Sequence, residues 1–134
     1  MDNEDTQAAI RAIDDLRESM AFWASDCDAQ VAESLRLGGL DTWVEEGQVR
    51  VMERLRDFQA SAVFDASVWA DLWKFTNEVI AAYSRCNGYR TDADALSKPQ
   101  WEGIRERALL LLTKLPGPID EHQLQAVIQA RSSG

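Results

Sequence analysis

The carboxylates are the residues whose spacing first invites a chemical reading. Asp26-Cys27-Asp28 and Asp92-Ala93-Asp94 both read Asp-x-Asp, the opening of many oxygen-ligand cation sites. Neither continues as such a site must. A calcium loop starting at Asp92 needs Asp or Asn at position 96 and Gly at 97, where the chain carries Leu96 and Ser97. Both pairs are therefore expected to cap helices and solvate the surface. Glu45, Glu46 and Glu53 share one segment and Glu78 sits on another, so together they could gather a magnesium ion for phosphate chemistry. Their spacing lacks the paired acidic motifs that this chemistry uses, and no Gly-rich phosphate loop accompanies them. Ion pairs with Arg50, Arg54 and Lys74 are the simpler expectation.

His122 is the sole histidine, which removes Ser-His-Asp triads, zinc sites built on histidine pairs and histidine acid-base relays together. It falls in the first turn of the last expected helix, on an exposed position. From these residues we assign no catalytic residue, no metal ligand and no cofactor, and expect a protein that is not an enzyme. No stretch matches the motifs of a named family.

Charge placement says more than the total of −9. Residues 1 to 46 hold twelve acidic side chains against three basic ones, a net −9, while residues 47 to 134 hold eleven of each. The whole imbalance lies in the first third, which would repel nucleic acid and suits a basic protein partner. Asp14, Asp15 and Glu18 are the acidic residues assigned to partner binding. Five tryptophans are many for 134 residues, and exposed tryptophan is enriched at interface hot spots. Trp69 and Trp73 lie four apart beside an already apolar stripe, and Trp43 follows a Gly-Gly break, so these three complete the expected partner-binding set.

The elements that must position these residues read as helices throughout. Ala9, Ile13, Leu16, Met20, Trp23 and Cys27 repeat at alternating spacings of four and three, and Val31 and Leu35 continue the stripe to Gly38-Gly39. One long or gently broken helix over 4–36 is expected, close to 50 Å at about 1.5 Å per residue if unbroken, with any bend near Ser25-Asp26. Its stripe could also pair with a second copy of the chain, so a homodimer is one expected assembly. A second helix starts at Asp41 or Thr42, with Thr42 and Glu45 as a capping box, and buries Val44, Val51, Leu55, Phe58 and Ala62. A third, over 65–87, is capped by Asp65 or Ser67. It carries Val68, Leu72, Phe75, Val79, Ala82 and Cys86 on one stripe and Trp69, Trp73, Ile80 and Tyr83 beside it, and ends at Asn87-Gly88.

Residues 88–96 read as the longest polar connection and a mobile loop. A fourth helix opens at Ser97 with a Ser97 and Gln100 capping box, and its apolar end, Leu109-Leu110 included, belongs at the bundle centre. After Pro116-Gly117-Pro118, Asp120 caps a last helix with Leu124, Val127 and Ile128 inward. No alternating segment predicts a strand. The expectation is all-α, an up-down bundle of four to five helices with a long first helix, in a single domain over 1–134 with 1–5 and 130–134 frayed.

The N-terminal residues Met1 to Asp5 lack the basic and apolar regions of a secretory signal, and no apolar run approaches the roughly 20 residues that span a bilayer. Cys27 and Cys86 read as core thiols of a reducing compartment, so a cytoplasmic protein without membrane contact is expected. Taken together, the sequence points to a small acidic interaction module. It would be an immunity-like inhibitor, or a chaperone or adaptor, for a basic partner such as a toxin or secreted effector. The alternative is a small-molecule binder or degenerate enzyme with a pocket lined by Trp69, Trp73, Tyr83 and Trp101.

Overall fold

The apolar stripe of the first segment is buried as its spacing predicts as far as residue 23, and there the helix breaks. In the computed structural model, which describes residues 3–58, 60–86 and 88–133, α1 spans Asn3–Ala24 and α2 spans Cys27–Arg36. Ala9, Ile13, Leu16, Met20 and Trp23 are at most 1% exposed. Of the two forms expected over 4–36, one long helix or a gently broken one, the chain takes the broken form, between Ala24 and Cys27, for a reason written in side chains. Asp26 caps α2, its carboxylate accepting from Ala29 N at 2.8 Å. The Gln30 amide then donates to Phe22 O at 3.0 Å and Trp23 O at 3.1 Å, satisfying carbonyls that the end of α1 leaves open. Past the break the stripe loses phase. Gln30 and Ser34 are buried in place of apolar residues, Val31 is half-buried, and Leu35 is 76% exposed. The segment offered for pairing with a second copy thus lies, from Ala9 to Trp23, inside the core of its own chain.

Gly38 and Gly39 take φ of 92° and 107°, a left-handed region that favours glycine, and swing the chain into α3. α3 is continuous over 40–57 but not uniform: Leu40–Thr42 is α-helical, Trp43–Val49 is a π-helical turn and Arg50–Asp57 is α-helical again. Within the π turn, Arg50 N reaches back five residues to Glu45 O. The expected Thr42 and Glu45 capping box does not form. Leu40 N instead donates to Asp92 Oδ2 at 2.9 Å, a cap delivered from 52 residues away, and Thr42 Oγ1 donates to Gly38 O at 3.2 Å. Val44, Val51 and Leu55 are buried as expected, with Phe58 and Ala62 half-buried.

A 3-10 turn, Ala60–Val63, leads to α4, Ala66–Ser84. Asp65 stands at its N-cap position without a side-chain bond to the helix. Val68, Leu72, Phe75, Val79 and Ala82 are buried, and Trp69, Trp73 and Tyr83 are half-buried beside them. Of the expected Asn87-Gly88 stop, Asn87 lies outside the described residues, and Gly88 has φ of 97°.

The polar connection is half helix. α5, Asp92–Leu96, is capped by Thr91, whose hydroxyl accepts from Asp94 N at 3.1 Å, and it buries Ala95 and Leu96 at 4% and 0% exposure. Short polar segments hide such turns, because two apolar residues are enough to anchor one. α6, Gln100–Leu112, packs on both α1 and α4. The Ser97 and Gln100 box does not form there. Ser97 Oγ donates to Asp94 O at 2.8 Å and the Gln100 amide donates to Ala82 O at 2.9 Å. Trp101, Ile104, Ala108 and Leu111 face inward, but Leu109 and Leu110 are each 58% exposed, so the helix end is not central on every side. Arg105 ties three elements together, donating to Gln30 Oε1 at 2.9 Å and to Leu96 O at 2.7 Å.

Arg17 holds the proline turn by donating to Pro116 O and Gly117 O at 3.1 and 3.0 Å. α7, Glu121–Ser133, then starts with a reciprocal cap. Asp120 Oδ1 accepts from Gln123 N at 2.8 Å while Gln123 Oε1 accepts from Asp120 N at 2.9 Å. Leu124 is fully buried, and Val127 and Ile128 are half-buried. The fold is all-α, with five longer helices, two short ones and no strand among the described residues.

Candidate functional site

Two consecutive turns of α1 point Asp15 and Glu18 outward while Leu16, Ser19 and Met20 point in. α3 crosses beside them, and the π turn presents Trp43, Glu46 and Gly47 to the same side. Together with Leu37, Thr42, Val51 and Arg54, these residues line an open groove of about 220 Å3. Its floor is apolar and its rim is charged.

Trp43 forms the floor because it is clamped from behind. Its ring stacks on Phe22 with centroids 4.1 Å apart and planes within 2°, and its indole N–H donates to Glu33 O at 3.4 Å. Gly47 lets the backbone lie directly on that ring. A Cβ added there would sit 3.0 Å from Trp43 Cε3 and 3.7 Å from Ser19 Oγ. The rim carries Asp15, Glu18 and Glu46 against Arg54 alone, a formal net charge of −2. Arg54 reaches across from α3 to Asp15 at 3.5 Å, and Glu46 approaches Arg50 at 4.0 Å. Glu18 makes no ion pair within 4 Å among the described residues. Such a surface can desolvate an aliphatic stem on tryptophan while carboxylates meet a cation at its end.

The structure divides the six residues assigned to partner binding. Asp15, Glu18 and Trp43 meet in the groove, although Trp43 is only 6% exposed. Asp14 points to the neighbouring side of α1 and pairs with Arg17 at 3.1 Å. Trp69 and Trp73 belong to a different aromatic cluster: Trp69 lies 5.6 Å from Phe64 and 6.0 Å edge-on from Trp73, with Arg56 over Trp73 at 5.9 Å. Both are half-buried, and neither lines the groove that holds Trp43. Leu37, Glu46, Gly47, Val51 and Arg54 were not assigned to the site from sequence. Glu46 and Gly47 follow Trp43 by three and four residues, a spacing that places them on its face of a helix.

The inward side of the same two helices is polar too, but closed. Gln48 Oε1 accepts from Ser19 Oγ at 2.9 Å and from Trp23 Nε1 at 3.1 Å, and its amide donates to Thr76 Oγ1 at 2.9 Å. Thr76 Oγ1 in turn donates to Leu72 O at 2.7 Å. All four of these side chains are fully buried.

The remaining candidates are placed without being gathered. Asp26 and Asp92 cap helices, as expected of the Asp-x-Asp pairs. Glu78 pairs with Arg107 rather than Lys74, and His122 is exposed. Cys27 and Cys86 are free and half-buried rather than core residues. Burial pushes the Cys86 thiol up, with polar neighbours Trp101 and Gln100 partly offsetting it. Tyr83 is also held above its ordinary range, first by burial and then by Asp41, Glu45 and Asp92. Trp101 stacks on Trp23 at 5.6 Å and is fully buried in the core. Among the described residues no three His, Cys, Asp or Glu side chains are grouped to hold a metal ion, and no helix is long and apolar enough to cross a membrane.

Comparison of the chain with family models, with curated proteins and with solved structures finds no match. No relative's chemistry can be carried over, and the site is read from its own geometry.

Proposed function

We propose that the protein is a small acidic interaction module that captures a basic protein partner through the groove between α1 and α3. The single observation behind this reading is the meeting of Asp15, Glu18 and Glu46 around the floor made by Trp43, Gly47 and Val51. Charge of one sign around a low-dielectric surface steers an oppositely charged partner, and the apolar floor supplies the contact that retains it. The acidic first third adds long-range attraction to the same encounter.

Two forms of this role suit the chemistry. One is an immunity-like inhibitor that covers the basic active-site surface of a toxin such as a nuclease; the other is a cytoplasmic chaperone or adaptor that escorts one secreted effector. Capture from the native cell at low salt, followed by elution with salt, tests the common claim. The expected product is a basic protein retained by the native chain and lost with Asp15→Lys and Glu18→Lys, with association slowed by about tenfold or more at low salt. An identical set of bound proteins before and after the charge reversal would overturn the reading. Assaying the captured partner separates the two forms: an inhibitor silences its activity, whereas an escort leaves it intact.

A further inference from the structure

The dimensions and charges of the groove narrow what part of a partner can enter it. At about 220 Å3 it is below the roughly 300 to 1,000 Å3 of small-molecule sites, and it suits one long side chain. Contact with an apolar floor costs a weakly hydrated guanidinium less than a compact, strongly hydrated ammonium. Glu18 on one wall and Glu46 on the other lie at the rim, where a forked guanidinium can address carboxylates of both helices. Leu37, 38% exposed, is part of the groove lining. An exposed leucine beside acidic walls is complementary to an apolar neighbour of the cation.

Arg54 is the other half of the inference. It is the one cation of the groove lining, and its Nη2 reaches Asp15 on the opposite wall at 3.5 Å with both side chains about half exposed, at 46% and 48%. A solvated pair of this kind is weak and easily exchanged. It already makes, from inside the chain, the contact that an incoming guanidinium would make.

We propose that the groove takes an arginine side chain flanked by an aliphatic residue on the basic partner, and that Arg54 is a tethered competitor that sets the affinity of that site. The inference rests on the interaction-module reading above and names the occupant and its control. With Arg54 in place the rim carries −2, and removing it leaves −3 and a free Asp15.

The test uses blocked peptides of equal charge added to the full chain: Ala-Arg-Leu-Leu-Arg-Ala, the same peptide with serine for leucine, and the same with lysine for arginine. Binding is followed by calorimetry and by the Trp43 indole N–H resonance. The leucine-arginine peptide is expected to bind about tenfold tighter than the serine peptide, and severalfold tighter than the lysine peptide. Arg54→Ala, on an exposed position, should tighten binding severalfold, and joint Glu18→Gln and Glu46→Gln should weaken it by about tenfold. Equal binding of the leucine and serine peptides would overturn the aliphatic flank, and equal binding of the arginine and lysine peptides would overturn the arginine site, leaving a diffuse acidic interaction standing. Unchanged or weaker binding with Arg54→Ala would overturn the competitor role. Failure of every peptide to bind at low salt would overturn both this inference and the reading on which it rests.

Discussion

The inner and outer faces of the α1 and α3 pair are built from neighbouring residues and treated in opposite ways. Ser19 and Trp23 turn inward from α1, one and five residues after Glu18 turns outward; Gln48 turns inward from α3 two residues after Glu46 turns outward. The inner set closes on itself. The Ser19 hydroxyl, the Trp23 indole and both ends of the Gln48 amide have partners, with bonds between 2.9 and 3.1 Å. The outer set does not close, because three carboxylates face one arginine. Polar groups that are fully satisfied within the chain fix its packing and have nothing left to offer a ligand. Polar groups left in excess over an apolar floor are available for one.

The largest effect should follow from opening the closed face. Gln48→Leu keeps the volume but removes the acceptor of the Ser19 hydroxyl and one of the two acceptors of the Trp23 indole, so a loss of about 2 kcal/mol is expected. Urea unfolding reads it as a lower midpoint with unchanged slope. A loss below about 0.5 kcal/mol would mean that these bonds do not hold the helices together, and the contrast between the faces would collapse. Gly47→Ala comes next, because it acts on the wall shared by both faces. Alanine favours helix over glycine by up to about 1 kcal/mol, yet its Cβ would meet a Trp43 ring that Phe22 prevents from retreating. The clash should prevail, for a net loss of about 1 kcal/mol, with a shifted Trp43 indole resonance. A gain in stability with that resonance unmoved would show that the ring is free to give way.

Much of the helical order was legible because apolar spacing is a local signal: the stripe of α1 as far as Trp23 and that of α4 as far as Ala82 are buried as read, and Asp120 caps α7 as read. What the spacing hid was set by contacts distant in sequence. The heptad phase ran through Asp26 unbroken, and the break is held by the Asp26 cap together with Gln30 reaching back to two carbonyls. The cap on α3 comes from Asp92, and no local pattern around Thr42 could reveal that. Leu109 and Leu110 looked central by composition, although composition cannot tell which side of a helix has a neighbour. Half of the candidate site was visible for the same reason. Asp15 and Glu18 stood out as charge and Trp43 as an aromatic, but their meeting is a consequence of how α3 crosses α1. Trp69 and Trp73, equally conspicuous in sequence, pack instead against Phe64 and beneath Arg56.

The smallest expected effect is the one that most sharpens the contrast. Joint Glu18→Gln and Glu46→Gln removes two exposed charges from a groove that already carries an excess of like sign. Neither residue supports the core, so the change in unfolding free energy should stay within about 0.5 kcal/mol and lean toward stabilisation as repulsion falls. The lean should shrink in about 1 M salt, where screening acts over roughly 3 Å. A loss above about 1 kcal/mol would make these carboxylates part of the scaffold, comparable to Gln48. Stability that survives their removal, beside a fold weakened by Gln48→Leu, would mean that the acid rim is retained at a cost the fold does not need, which is the physical signature expected of residues kept for a partner.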